Sequence, residues 1–568
     1  MAYFLKKSTN KKGMYLQIYE SFRDSNKKET AHRSVKYLGY VEDLIAEGIT
    51  DPIAHFTSEV KVMNEKVKSE KDKLKREEIS DNSNKNVGSF LLNGFFNRFN
   101  LEREFELLTI REGFKFDVYQ LMKGLVYARV IEPCSKYKTN VEVLPSLFGT
   151  YAFSEHELYR GLDFLGEEHE SIIEILNYRY EKQYKRNTDN VYFDATNFYF
   201  EIDNEDELRK KGPSKENRRD PLVGMGLLLD GDQVPLAAKF FPGNESEKPV
   251  IRDVISEMKK RHNIKGKVVQ VADKGLNCTK NIIEAMKNGD GYLYSQSVKM
   301  LNDVEESWIL NDNDYKSVYD ENGKEKYRYK VWTDDFPYSV ENEVGKKRKV
   351  FLRQKRMVTF NPSLAIKQRA EINKMVEKVR ILSISGAKRM EYGDGSKYVT
   401  FTSVDNEGVV GEEAEIITVL KEDKINHDLS LAGYNMLITS ETKLSSQTMY
   451  DTYHHLWRIE ESFRILKSKL QARPVYVQTR NAIYGHFLIN YIALFMLRVL
   501  QIKVFEDKIH TNQIIEFCRN FNVTKYKYDY FNLGSRSIIE PFSKVLNLDL
   551  LPRVLKGTYI KKLFEYKI

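Results

Sequence analysis

The chain has 568 residues, 90 Lys and Arg against 82 Asp and Glu, and a formal net charge of +8. Its length allows several domains, whereas so modest a basic excess only weakly indicates a nucleic-acid partner. Three widely separated cysteines fit neither a zinc site nor a disulfide framework, and the first residues lack the apolar core of a signal peptide, so a cytoplasmic location is expected. The longest apolar stretch, residues 487–500, contains Asn490 and Arg498 and is too short to span a bilayer, which predicts a core helix and no membrane partner.

The N-terminal part of the chain predicts three modules in succession. Residues 1–55 predict a small β-module, because two runs rich in aromatic and β-branched residues, 14–19 and 32–38, flank a polar turn. Residues 56–86 carry many charges and helix-forming residues and end in a polar run, which predicts a charged helix and a linker. Residues 87–187 show helical periodicity and predict a helical domain.

Residues 188–298 predict a mixed sheet with two carboxylates at informative places. The aromatic and apolar run 190–201 predicts a buried strand with Asp194 in its middle, where a lone charge is costly without a partner or a metal ion. A later strand runs into Asp273 and is broken by Gly275, so Asp273 lies at a strand end, where ligands converge in open α/β sheets. The other elements predicted here are two strands, two helices and a last strand, at 222–229, 235–241, 247–261, 278–287 and 291–296.

The remaining sequence predicts an insertion, a return to the sheet and a tail. Residues 299–440 contain short aromatic and β-branched runs and predict a mainly β insertion, with one helix at about 364–381. The chain is expected to rejoin the sheet over 441–505 and to end in a helical tail over 506–568.

The run 453–467 predicts a helix with a polar stripe beside an apolar one. Tyr453, Glu460 and Lys467 are seven residues apart, so they drift only about 20° per step around the helix axis. Glu461 competes with Glu460 as the functional carboxylate, but it is rotated by about 100° from that stripe. The neighbouring stripe, expected to be buried, consists of Leu456, Ile459, Phe463, Leu466 and Leu470.

Asp194, Asp273 and Glu460 together form a candidate metal site on a strand, a strand end and a helix. Magnesium prefers carboxylate oxygens of this kind, and two such ions about 4 Å apart can activate a water and stabilise a leaving oxygen in phosphoryl transfer. The ordinary alternative stays open for each residue alone: a strand Asp is often satisfied by local hydrogen bonds, a helical Glu is often solvated, and Asp-Lys-Gly is a common turn.

These residues, in this order, make the chain resemble the DDE transposases of bacterial insertion sequences. The branch it resembles has the pattern Tyr, two residues, Arg, three residues, Glu, six residues, Lys. Tyr453, Glu460 and Lys467 match it in register, whereas Leu456 stands at the Arg position. The resemblance covers about residues 85–500, and more loosely the first 50, and other segments that carry it are 212–220, 240–244, 273–275 and 471–476.

The resemblance implies a multidomain α/β protein with a ribonuclease H-like catalytic core over 188–298 and 441–505, interrupted by the β insertion and preceded by the β-module and the helical domain. It implies that the three carboxylates hold two Mg²⁺ ions, for which Mn²⁺ can substitute, and that a water cuts the element's end before the freed 3′-hydroxyl joins target DNA. The implied partner is double-stranded DNA, as terminal inverted repeats and target. Joining two ends implies a homodimer on DNA, in the bacterial cytoplasm at the nucleoid. The helical domain either binds the DNA ends or only supports the core.

Several residues are candidates for contact with DNA. Tyr453 and Lys467 would bind phosphate oxygens and position the strand. Arg464, one turn beyond Glu460, is another phosphate candidate, with a surface ion pair as its alternative. Trp332 would stack on a flipped base, or else belong to the core of the insertion.

Basic clusters near the proposed catalytic core favour a surface that follows phosphates. Lys215 and Arg218 are the candidates in the loop after the first catalytic strand. Other clusters lie at 209–211, 259–261 and 346–356, and solvated surface is the alternative for each of them.

Two rival functions remain open at this point. One is a nuclease of the same fold that cuts DNA without joining it. The other is a DNA-binding protein derived from a transposon and no longer catalytic, for which the Leu456 departure leaves room.

Overall fold

The structure is a computed structural model that describes residues 2–23, 30–75, 84–213, 219–261, 266–341, 346–384, 389–404 and 415–568. Contacts divide the chain into two compact units, Met1–Ser83 and Asn84–Ile568. The finer domain boundaries expected from the sequence stay predictions.

The first unit is a three-stranded antiparallel sheet followed by two helices. Its core contains Leu16, Leu44 and Phe56. The two expected strands lie within the second and third strands, whereas the first was not expected, because its second half is polar and exposed and only its pairing with the next strand holds it in place. The elements are β1 (Ala2–Asn10), β2 (Gly13–Arg23), β3 (Thr30–Tyr40), α1 (Val41–Ala46) and α2 (Pro52–Lys75).

The second unit begins with a short strand and a group of helices. Local sequence explains how several of them start. Asp117 accepts a hydrogen bond from the backbone of Gln120, and Ser154 forms a capping box with Glu157. The elements are β4 (Asn84–Asn86), α3 (Ser89–Phe99), α4 (Glu102–Thr109), α5 (Val118–Ile131), α6 (Lys136–Lys138), α7 (Leu144–Ser146), α8 (Glu155–Glu167) and α9 (His169–Gln183).

The central sheet follows, in the element order that the sequence predicts. Its first three strands are antiparallel, and the next two join them in parallel orientation. Buried apolar residues dominate these strands, as expected for a sheet covered on both faces. The elements are β5 (Asn190–Tyr199), β6 (Leu222–Leu229), β7 (Pro235–Pro242), α10 (Glu247–Arg261), β8 (Val269–Ala272), α11 (Thr279–Lys287) and β9 (Gly291–Gln296).

The segment expected as a mainly β insertion instead mixes helices with strands, and most of its strands extend the central sheet. The nine-stranded order is β10-β11-β12-β15-β9-β8-β5-β6-β7, and among the described strands of this segment only β13 and β14 form a separate two-stranded sheet. The sequence predicts the strands of this segment but not their pairing with the edge of β9, because that pairing joins residues far apart in the chain. The elements are α12 (Asp303–Leu310), β10 (Lys316–Tyr319), β11 (Glu325–Glu341), β12 (Lys347–Phe360), α13 (Pro362–Ile384), β13 (Val399–Val404), β14 (Glu415–Leu420), α14 (Glu422–Ser430) and β15 (Tyr434–Thr439).

The C-terminal segment also differs from the expected helical tail. It contains three strands, one of which pairs with β4, and the backbone amide of Ile568 donates to the carbonyl of Gly94 at 3.3 Å. These strands are three to five residues long, too short to give a periodic signal in the sequence. The elements are α15 (Ser446–His454), α16 (Trp457–Arg464), α17 (Arg480–Val499), α18 (Thr511–Asn520), β16 (Asn522–Tyr526), β17 (Asp529–Asn532), α19 (Arg536–Leu546), β18 (Val554–Lys556) and α20 (Gly557–Glu565).

Helix α17 forms the centre of the second unit. With the π-helical turn that follows, residues Arg480–Val504 are long and apolar enough to cross a membrane, but 83% of the apolar window is buried inside the protein. Burial of this kind is typical of a core helix, which is what the sequence predicts for 487–500.

Candidate active site

Asp194 and Asp273 lie side by side in the central sheet. Strands β5 and β8 are parallel, and Phe193 is in register with Ala272. Asp194 follows Phe193 within β5, and Asp273 follows Ala272 directly after the end of β8. Backbones of neighbouring strands are about 4.8 Å apart. Both side chains are half-buried. Two carboxylates far apart in the sequence are therefore neighbours at one sheet position.

Asp194 points to the face of the sheet that α16 covers. Tyr192 and Phe198 on β5 belong to the same core cluster as Ile459 and Phe463 on α16. Since side chains alternate along a strand, Asp194 points to the same side as these two aromatic residues. The apolar stripe expected from the sequence is buried throughout, and it attaches α16 to this face.

The sequence predicts one continuous helix over 453–467, whereas the structure divides this run into three parts. Helix α15 ends at His454, a tight turn through His455 and Leu456 follows, and α16 begins at Trp457. Lys467 lies in a π-helical turn, Ile465–Lys469. The periodicity is the same on both sides of the turn, so the sequence could not show the break. The seven-residue spacing therefore does not place the three polar residues on one straight stripe.

The break directs Tyr453 towards Asp273. The Tyr453 hydroxyl donates to Asp273 Oδ1 at 3.5 Å. Burial raises the pKa of Tyr453 most, and the negative charges of Asp273 and Glu460 raise it further, against a hydrogen bond with Ser295 that lowers it. The phenol thus stays protonated at neutral pH and feels the charge of two of the three candidate carboxylates.

Glu460 and Glu461 have different surroundings. Glu461 Oε2 lies 2.9 Å from Nη1 of Arg498 and 3.5 Å from Nη1 of Arg458. Arg498 is fully buried, and sequence analysis had noted it only as a polar interruption of an apolar stretch. A charge inside such a stretch was the available signal that it needs a buried partner. Glu460 is exposed. These surroundings give Glu461 a structural role and favour Glu460 as the functional carboxylate.

The donor set suits a hard divalent ion, although the carboxylates are not drawn together around one. Within the ranges that the structure describes, no group of three or more His, Cys, Asp or Glu side chains is close enough to hold a metal ion. Carboxylate oxygens of Asp194, Asp273 and Glu460 are the ligands that Mg²⁺ and Mn²⁺ prefer, and no thiolate or imidazole competes among these three. The ligand types of the aspartate pair therefore suit such an ion, and Glu460 carries a third carboxylate on α16, which the structure does not bring within ligand distance of the pair.

The candidate phosphate ligands differ in how close they come to this pair. Lys467 is half-buried, with its Nζ 5.7 Å from the ring centroid of Phe198, on the strand that carries Asp194. Arg464 has an exposed side chain with Nη2 3.9 Å from Glu461 Oε1, a loose surface ion pair. Of these two candidates, Lys467 is the one that the structure brings to the strand of the site.

Trp332 is distant from the aspartates. Its ring centroid lies 5.5 Å from that of Trp308 and 5.1 Å from that of Phe336, in an aromatic cluster of the insertion. It lies on β11, four strand spacings from β8, or about 19 Å at about 4.8 Å per strand. Lys215 and Arg218 fall outside the described residues.

Two of the basic clusters serve the structure itself. Lys259 pairs with buried Asp290 at 2.6 Å, and Arg209 pairs with Asp206 at 2.6 Å. One side chain of each cluster thus forms an ion pair within the protein, which was expected neither by the phosphate-binding interpretation nor by its alternative, solvated surface.

The cluster at 346–356 is divided between core and surface. Lys355 is buried and donates to the carbonyl of Leu444 at 2.6 Å, and buried Arg356 pairs with Glu305. Every second residue of β12 from 347 to 353 is exposed: Lys347, Lys349, Phe351 and Arg353. Because alternate residues of a strand share one face, the three basic residues among them form an exposed basic stripe on β12.

Comparisons with known proteins bear directly on this site. The family model described as transposase DDE domain matches residues 191–496, and the one described as IS1634 family transposase, N-terminal domain, matches residues 5–78. No curated protein matches the chain. Among solved structures, the piggyBac transposase synaptic complex with hairpin DNA, determined by cryo-EM, shares 10% identity with a TM-score of 0.35 over 84% of each chain. The resemblance inferred from the sequence is confirmed: since the DDE-domain match runs from the strand of Asp194 to helix α17 and spans more than half of the protein, this chain belongs to the family of DDE transposases.

Proposed function

We propose that this transposase cuts DNA at the ends of its insertion sequence and joins the freed ends to target DNA, using Asp194, Asp273 and Glu460. The observation that carries the proposal is the placement of the two aspartates on neighbouring parallel strands, with Tyr453 donating to one of them. A DDE-family chain needs carboxylates at one such place for phosphoryl transfer.

The strand order supports a ribonuclease H-like core for this chemistry. Three antiparallel strands are followed by a helix, a parallel strand, a second helix and another parallel strand, in the spatial order β7-β6-β5-β8-β9. Asp194 lies on the central strand of this set, and Asp273 follows the strand beside it. A rigid sheet is well suited to fix the spacing of two catalytic groups.

The protein groups have separable roles in the proposed reaction. When bound, Mg²⁺ would lower the pKa of the attacking water or hydroxyl and would stabilise the negative charge on the leaving oxygen. Asp194 and Asp273 would hold the metal, and Glu460 would complete its ligands from α16. Tyr453 stays protonated, so it can donate to a carboxylate or a phosphate oxygen. Lys467 would place a positive charge beside the phosphate of the strand being cut.

DNA would extend from the site over basic surface. The exposed stripe of Lys347, Lys349 and Arg353 on β12 is suited to phosphate contact, because these charges lie in one row at the surface. Joining two element ends requires two bound ends, so we propose that the chain acts at least as a dimer on DNA.

The test uses two DNA substrates with purified full-length protein and Mg²⁺. The first carries an intact element end with flanking DNA, and the second carries a pre-cut end with a free 3′-hydroxyl beside target DNA. We expect cleavage of the first and joined product from the second. A protein that cuts but never joins pre-cut ends would be a nuclease, and one that binds both substrates without reaction would be a non-catalytic DNA-binding protein.

A further inference from the structure

A cavity of about 260 Å³ lies where the segment after Lys467 meets the helical region. The groups that matter in its lining are three basic side chains from different elements: Arg129 on α5, Lys136 on α6 and His486 on α17. Their exposed fractions are 5%, 6% and 5%, so all three are more than nine-tenths buried. Residues that form its rim, Gln471 and Tyr476, are exposed, so the cavity opens to solvent.

Internal contacts only partly satisfy these groups. Lys136 Nζ lies 3.4 Å from His486 Nδ1, and His486 Nε2 lies 3.0 Å from the carbonyl oxygen of Ala472. The imidazole therefore carries its proton on Nε2 and accepts from the lysine through Nδ1. Arg129 makes three long contacts of 3.4 Å, all to backbone carbonyls. Neutral acceptors at these distances leave the Arg129 guanidinium and the Lys136 amino group without a counter-charge.

Arg129 and Lys136 lie apart from the acidic side chains that the structure describes. Within the described ranges, neither Arg129 nor Lys136 has a carboxylate at ion-pair distance. Burial lowers the pKa of Lys136 well below its usual value, and the nearby Arg129 lowers it further. Burial also lowers the pKa of Arg129 to about 10. An anion in the cavity would remove this penalty, because it would supply the missing counter-charge.

The cavity is connected to the candidate active site through β5. The guanidinium of Arg473, which also lines the cavity, lies 5.4 Å from the ring centroid of Tyr199. Tyr199 is five residues beyond Asp194 on the same strand, or about 17 Å at about 3.3 Å per residue. A bound strand can span this distance between its reacting phosphate and a second contact.

We propose that this cavity binds one backbone phosphate of the element-end DNA, next to the site of cutting. The proposal rests on the proposed function for the identity of the DNA. Tyr476, 65% exposed at the rim, favours a nucleic-acid phosphate over a free one, since an exposed aromatic ring there can stack on the adjoining base.

The experiment compares Lys136→Gln with Lys138→Gln as a matched control. Lys138 lies on the same short helix, but its side chain is 43% exposed and pairs with Glu132 at 3.0 Å. Binding of end DNA to full-length protein is measured by fluorescence anisotropy across salt concentrations. Lys136→Gln should bind about tenfold more weakly, with a slope of log affinity against log salt smaller by about 0.9. Lys138→Gln should match wild type in both. Equal affinity and slope for Lys136→Gln and wild type would overturn the proposal.

A second measurement identifies the source of the anion and does not depend on the variant folding. Thermal unfolding of wild type is followed in inorganic phosphate and in sodium chloride of equal ionic strength. At phosphate concentrations of about 1–10 mM, too low for the general stabilising effect of phosphate on proteins, the melting temperature should rise to a plateau, as expected for a saturable site. No rise relative to chloride would count against the cavity as an anion site. Stabilisation by phosphate without a change in DNA binding by a folded Lys136→Gln would show a free-phosphate site and overturn the DNA assignment. Both readouts are binding measurements, so a wild type that binds but never cuts would contradict only the proposed function.

Discussion

Glu460 and Glu461 are adjacent, yet the protein neutralises only the second. Arg498 is fully buried on α17, and Glu461 lies 2.9 Å from it. A buried guanidinium needs a counter-charge, and Glu461 supplies it. Glu460, at the preceding position of α16, is exposed.

Replacing each glutamate in turn distinguishes the partner of Arg498 from the exposed carboxylate through the free energy of unfolding. Glu461→Gln should lower the free energy of unfolding by about 3 kcal/mol, because it leaves Arg498 buried without its main partner. Glu460→Gln should change it by less than about 0.5 kcal/mol, as usual for an exposed side chain. Urea unfolding of both variants measures the difference, and equal effects would contradict the assignment.

Tyr453 is expected to assist the reaction without being essential for it. Tyr453→Phe removes the hydroxyl that donates to Asp273. Since one hydrogen bond contributes about 1 kcal/mol, cleavage should slow by about fivefold in single-turnover assays. Tyr450→Phe is the control. The Tyr450 ring stacks on Tyr327 with centroids 4.0 Å apart, and phenylalanine keeps this stacked ring while it removes a hydroxyl. Similar slowing in both variants would show a general packing effect.

Local context and register in the sequence predict the three carboxylates, but they do not predict contacts whose partners come from elsewhere in the chain. The strand around Asp194 and the strand end at Asp273 were readable because burial and breaking residues are local signals. The buried partner of Glu461 and the cavity around Lys136 were not, since Arg498 and His486 approach from a helix whose own sequence looks like plain core. The one indication in the sequence is Arg498, a charged residue within an apolar run that needs a buried partner.

At the scale of elements, the turn between α15 and α16 shows how tertiary contacts override a regular pattern. Helix α15 packs against β8 and β9, whereas α16 packs against β5. One straight helix would follow a single direction across the sheet, so the turn at His455 lets the two parts cover different strands. The apolar periodicity continues through the turn, which is why the sequence predicts the buried stripe but not the break.

The crossing of α8 and α17 depends on glycine. A Cβ at Gly485 would lie 2.2 Å from the carbonyl oxygen of Leu162, far inside van der Waals contact. Gly485→Ala should therefore lower the free energy of unfolding by about 3 kcal/mol, because the backbones must separate. Gly266→Ala is the control, since no atom lies within 4 Å of its Cβ. Thermal or urea unfolding checks this, and an unchanged Gly485→Ala would mean that the helices are not so close.

Asp428 on α14 should make stability depend on pH. Burial alone would raise its pKa, but hydrogen bonds from Lys299, Lys424 and Tyr398 lower it to about 2. The unfolded value is about 3.9, so the stabilisation is complete above that pH and is lost as pH falls towards 2. Wild type should exceed Asp428→Asn by about 2 kcal/mol at pH 6, and the difference should shrink at pH 3. Urea unfolding at both pH values measures it, and a constant difference would contradict this account.

At the scale of the whole molecule, the order of elements was predictable and their long-range pairing was not. The strands and helices from β5 to β9 follow the predicted order, because each has its own hydrophobic pattern. The attachment of β12 to β9 through β15, and of β16 to β4, joins segments that are far apart in the chain. The periodicity of a strand does not show which strand it pairs with. The sequence therefore predicts a separate insertion and a separate tail, whereas most strands of the insertion join the central sheet and a strand of the tail pairs with β4.

The central claim is that Asp194, Asp273 and Glu460 act as one site in phosphoryl transfer. The most direct test is single-turnover cleavage of element-end DNA in Mg²⁺ by wild type and four variants: Asp194→Asn, Asp273→Asn, Glu460→Gln and Glu461→Gln. DNA binding is measured in parallel, at a temperature where all five proteins are folded.

The account predicts that each of the first three variants binds DNA but cleaves at least about a hundredfold more slowly, whereas folded Glu461→Gln cleaves like wild type. Wild-type cleavage by any of the first three variants, or loss of cleavage in folded Glu461→Gln with activity retained in Glu460→Gln, would contradict it.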